Sequence, residues 1–131
     1  MILRSRRLAA LIIGLALAAA PAHAADFLKA IEDVPLAQGL TEAPEPVIFE
    51  TAQGRVVKTQ ATGRVDAGAV TNFYLETLPA LGWKRTGADN ALTFERENER
   101  LVIVVAEPRS SRPVEVTFEL IVKLASAKLP E

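Results

Sequence analysis

Apolar and polar positions alternate most cleanly over residues 114–123, where Val114, Val116, Phe118, Leu120 and Val122 fall on one side. Glu115, Thr117, Glu119 and Lys123 fall on the other, with Ile121 among them. A period of two is that of a half-buried strand. Leu92-Thr93-Phe94-Glu95-Arg96 alternates likewise, and Trp83 to Thr86 begin a short strand before the turn cluster at 87–90. Residues 101–106 are apolar at every position, which predicts a central strand, lying beneath a helix on one side and covered on the other by the entry segment or a partner. Upstream, residues 47–50 and 55–60 read as two strands joined by a hairpin turn at Ala52-Gln53-Gly54.

Between these strand patterns the period changes. Val70, Phe73, Tyr74 and Thr77 recur at three- and four-residue spacing after Asp66, a good N-cap, and Leu78 and Leu81 extend the stripe. This predicts an amphipathic helix, which Pro79 should kink or end near Thr77. Residues 25–46 read differently, as an entry segment with little regular structure. Asp26 is placed to cap a short turn sharing Phe27, Leu28 and Ile31 on one side, until Pro35 stops it. Val34, Leu36 and Leu40 suggest that the segment docks. The sum is a single α+β domain over 47–125, of order β-β-α-β-β-β-β: one antiparallel sheet of about five to six strands with one helix on one face, followed by a tail at 126–131.

The N-terminal 24 residues follow another logic. Arg4, Arg6 and Arg7 precede an apolar run over 8–20, and Pro21-Ala22-His23-Ala24 closes it with small residues. This is the pattern of a secretory signal peptide cleaved near Ala24. An uncleaved anchor is the alternative, and Ser5-Arg6-Arg7 matches only the start of a twin-arginine signal. Cleavage predicts a periplasmic or secreted protein of 107 residues with no stable membrane anchor, since the chain has no Cys to carry a lipid. It also leaves twelve basic and sixteen acidic residues, an acidic balance that argues against a nucleic-acid partner.

Cleavage removes His23, the only His, so no Ser-His-Asp or Cys-His arrangement and no His or Cys zinc site can be assembled. No phosphate-cradling glycine motif occurs either, and no cofactor or metal is expected. Glu95, Glu97 and Glu99 alternate with Arg96 and Arg100 as a solvated hairpin turn would. Four residues stand out as candidates for ligand binding. Arg109 and Arg112 flank two serines between prolines, a pattern able to hold an anion or to insert into a partner. Tyr74 and Trp83, the sole Tyr and Trp, lie near the helix and its exit. Trp83 is expected to anchor the helix end with its N–H on a carbonyl, or to offer a stacking platform.

Phe73-Tyr74-Leu75-Glu76-Thr77-Leu78-Pro79-Ala80-Leu81-Gly82-Trp83, with Leu92-Thr93-Phe94, the strand at 101–106 and Val34-Pro35-Leu36 upstream, resembles small exported bacterial domains of unknown function. The resemblance implies the fold and an envelope setting, and it supplies no catalytic or binding residue. The resulting expectation is a non-enzymatic exported protein that binds an envelope protein through its sheet, or a small apolar ligand beneath the helix. The rival is a small acid–base enzyme using a buried carboxylate, with Glu119 as candidate beside Tyr74.

Overall fold

The computed structural model describes residues 26–87, 92–107 and 111–124. They form seven strands and one helix: β1 (Thr41–Glu42), β2 (Val47–Thr51), β3 (Gly54–Gly63), α1 (Ala67–Ala80), β4 (Lys84–Thr86), β5 (Leu92–Arg96), β6 (Glu99–Ala106) and β7 (Val114–Lys123). All pair antiparallel in one sheet of order β1-β3-β7-β6-β5-β4, with β2 also on β3. The fold is α+β with a single antiparallel sheet. The strand beyond the five to six expected is β1, two residues long. It shares one edge of β3 with β2, and four residues there, including Pro44 and Pro46, stand opposite two of β3. That bulge bends the edge and hides the short first piece from a pattern reading.

Register decides which face is buried. Val57, Leu120, Leu101 and Phe94 form one cross-strand row, and Thr59, Phe118, Ile103 and Leu92 the next, all of them buried. Helix α1 lies on this face through Val70, Tyr74 and Leu78, and the Tyr74 ring meets that of Phe118 edge-on at 5.5 Å. The helix begins where expected: the Asp66 carboxylate accepts from the Ala69 N–H at 3.0 Å. It ends later, because Pro79 sits in the last turn, where losing one donor is tolerable and the helix runs on to Ala80. Two bonds close it, from Gly82 N–H to Pro79 O and from Trp83 N–H to Leu78 O. Gly82 adopts φ +91° between them, and Trp83 and Leu78 are both buried. This is a Schellman stop. Leu-Gly-Trp therefore reads as a helix terminator that plants the indole in the core.

The entry segment also joins the buried face. Leu28, Ile31, Val34, Ala37 and Leu40 belong to the main core, whereas Phe27 is 47% exposed. No helical turn forms: Phe27 bridges Pro35 antiparallel, and the Leu36 N–H bonds to Asp26 O at 2.7 Å. The segment crosses β3 at a point where neither chain carries a side chain. A Cβ on Gly63 would stand 2.1 Å from the Gly39 carbonyl oxygen. Since helix and entry segment share one face, β6 is covered on one side only among the described residues. On the other, Val102 is half-buried and Val104 is 50% exposed, so the expected second cover by the entry segment is corrected.

Candidate functional site: a groove beside the helix

The space beneath the helix is filled, since Tyr74, Phe118, Ile103 and Leu101 are each fully buried. The open volume lies beside it. Where α1 stops covering the sheet, the entry segment and the β2–β3 hairpin leave a groove of about 980 Å³. Its floor is Val57, Leu120 and Val122, one wall carries Phe27, Ile31 and Leu36, and the other Pro44, Pro46 and Ile48. Volumes near this size suit a drug-sized apolar group or a short stretch of peptide.

Two anchors hold the entry-segment wall. The Glu42 carboxylate accepts from the backbone N–H groups of Lys29 at 2.6 Å and Ala30 at 3.1 Å and from the buried Thr59 hydroxyl at 3.2 Å. Glu42 thus acts as a staple. Deeper in, the Tyr74 hydroxyl donates to Pro35 O at 2.9 Å and accepts from the Ala37 N–H at 3.2 Å. Burial pushes its pKa up to about 12, against a partial lowering by the Ala37 bond. Tyr74 is a structural lock and contributes nothing to the groove lining.

Arg96 ties down the far end. Its guanidinium lies 3.0 Å from Asp33, 3.3 Å from Glu99 and 3.4 Å from the Leu81 carbonyl, and 4.4 Å above the Trp83 ring. Trp83 itself is buried, and among the described residues its indole N–H has no partner, so the expected carbonyl bond is not made; the contact its ring does make is with the Arg96 cation over its face. Buried in this way, the indole offers no open face for stacking. The charged hairpin foreseen at 95–100 therefore does more than meet solvent, because Arg96 joins sheet, helix end and entry segment.

Of the four residues singled out from the sequence, Tyr74 and Trp83 are core, Arg112 is exposed and away from the groove, and Arg109 lies outside the described residues. The signal-peptide region and the tail at 126–131 also lie outside them. Glu119 and Tyr74 do not meet. Glu119 is on the open face of the sheet, 3.3 Å from Lys58 Nζ, while Tyr74 is on the covered one. Among the described residues, no three His, Cys, Asp or Glu side chains converge as a metal site. No family model, curated protein or solved structure matches this chain significantly. The groove residues escaped the sequence reading because they come from four separated stretches, none with a motif of its own. The one available signal was the run of apolar residues from Val34 to Leu40 among prolines, which marked docking without saying what docking would enclose.

Proposed function

We propose that this is an exported, non-enzymatic binding protein of the bacterial envelope whose groove beside α1 accepts an apolar group of its partner. The carrying observation is the groove itself, open between the entry segment and the β2–β3 hairpin, with the core residues Val57 and Leu120 and the half-buried Val122 along its floor. The signal-like N-terminus and the likeness of the Phe-Tyr, Leu, Gly-Trp pattern to small exported domains belong to the same proposal. The acid–base alternative draws no support, because Glu119 faces away from Tyr74 and pairs with Lys58.

The test is saturable binding of an apolar fluorescent dye to the mature protein, compared with Ile48→Glu and Leu36→Glu. Both positions line the groove and neither is fully buried, so the variants should fold. Dye binding that is weakened at least about tenfold in both variants supports the reading. Binding that is absent in the parent, or unchanged in both, ends it.

A further inference from the structure

The wall of the groove formed by β2 is also a free edge of the sheet. Among the described residues its partner is β3 alone, so the backbone groups along its outer side have no strand to bond. All five residues are exposed, and three in a row are large and apolar: Val47 at 48%, Ile48 at 46% and Phe49 at 61%. Edges of this kind are normally guarded by charge, proline or shortness. The opposite edge follows that rule, since β4 has three residues and two are Lys84 and Arg85. β2 follows it less fully: the bulge at Pro44 and Pro46 stops before the strand begins and the one charge, Glu50, comes near its end, so Val47–Phe49 between them are unguarded.

Register then says what an added strand would meet. Ile48 stands opposite Val57 and lines the groove, while Val47 and Phe49 continue onto the open face, where Phe49, Val56 and Ile121 form one row. A chain paired to β2 would therefore place alternate side chains beside Ile48, at the rim of the groove, and the rest beside Phe49. The charge at the groove is one-sided. Asp26, Glu32, Asp33, Glu42 and Glu99 face Lys29 and Arg55, and adding Arg96 and Glu50, which pair into this set, still leaves the acids in excess. Carboxylate-headed acyl chains are disfavoured by that balance and basic residues are favoured.

We propose that β2 receives an extended peptide as an added strand, with alternate apolar side chains packing beside Ile48 at the rim of the groove and basic residues flanking them. The inference rests on the groove reading above and names the class of partner. The probe is a blocked peptide alternating valine and threonine with lysine at both ends, titrated into the mature protein while the amide resonances of Val47–Thr51 are followed by NMR. Saturable shifts at β2 are expected, with binding weakened about tenfold both when alternate peptide amides are N-methylated and when the terminal lysines become glutamates. Equal binding of the methylated peptide overturns strand addition, and equal binding of the glutamate form overturns the charge argument. A protein that instead pairs β2 with a second copy, seen as concentration-dependent β2 shifts without peptide, also overturns it. Dye entering the groove while the peptide fails to bind sinks this inference alone; loss of both sinks the groove reading with it.

Discussion

Tyr74 carries the sharpest prediction, because one hydroxyl joins the helix to the entry segment through two backbone groups that have no solvent to fall back on. Tyr74→Phe keeps the ring against Phe118 and deletes only the oxygen. The Pro35 carbonyl and the Ala37 N–H, both in buried residues, then lose their partner. An unpaired buried backbone group costs roughly 1–3 kcal/mol, and partial relaxation of the segment should hold the sum to about 2–3 kcal/mol. For a domain of this size that lowers Tm by roughly 10–20 °C. Thermal and urea unfolding, followed by the emission of the single, buried Trp83, read it directly. The same hydroxyl predicts a pH dependence. Its pKa is raised from 10.0 to about 12, so the unfolded chain releases its proton first and stability falls as pH rises across that window. The loss there approaches roughly 2–3 kcal/mol and is missing from Tyr74→Phe. As the only tyrosine, Tyr74 reports its own ionisation by ultraviolet absorbance. An unchanged Tm in Tyr74→Phe would refute the bonding argument. Phenolate appearing near pH 10 while circular dichroism still shows a folded protein would refute the burial.

Three further substitutions test the supports around the groove. Gly82→Ala should cost about 1–2 kcal/mol in urea unfolding, purely through the left-handed backbone at φ +91°, since the nearest atom to an added Cβ is Arg96 Cδ at an ordinary 3.7 Å. Gly63→Ala should cost more, about 1–3 kcal/mol, because its methyl collides with the Gly39 carbonyl; amide exchange should speed up selectively over 28–40 as the entry segment lifts. Arg96→Ala removes a half-buried guanidinium from Asp33, Glu99 and the Trp83 ring, and should lose about 1–3 kcal/mol together with a shift in Trp83 emission.

The sheet and helix were legible where one period ran undisturbed. Residues 114–123 alternate because one face of β7 is core and the other is open, and the stripe through Val70, Tyr74 and Leu78 is the buried face of α1. Legibility failed where a local rule was outvoted. Pro79 signals a stop, yet the Schellman pair formed by Gly82 and Trp83 fixes the true end a turn later. Asp26 and Pro35 suggest a capped turn, but the apolar spacing of Leu28, Ile31 and Val34 is satisfied by a loop that folds back on itself through the Leu28 N–H bond to Val34 O. Glu42 was invisible as a staple because two of its three partners are backbone groups thirteen and twelve residues away, and backbone donors leave no trace in composition. The apolar residues of β6 did predict a strand with two apolar faces; they could not say that helix and entry segment would both choose the same one.

That choice is what links the groove to its supports. The entry segment is at once part of the core, through Leu28, Ile31 and Val34, and one wall of the groove, through Phe27, Ile31 and Leu36. A ligand seated between this wall and Ile48 touches the docked segment and finds no such wall when the segment is lifted. Binding and docking must therefore be coupled in the same direction, whatever the ligand. Weakening the Tyr74 lock lowers affinity only to the extent that the undocked state becomes populated, so a lock worth about 2–3 kcal/mol in a domain with several more kcal/mol in reserve leaves room-temperature affinity nearly intact. The coupling should surface on warming. Near the lowered Tm of Tyr74→Phe, saturating ligand should recover more of the lost stability at the entry segment than at β5 and β6, as read by amide exchange. Uniform protection across the sheet would mean that ligand and segment meet without depending on each other, and the wall would then be scaffold alone.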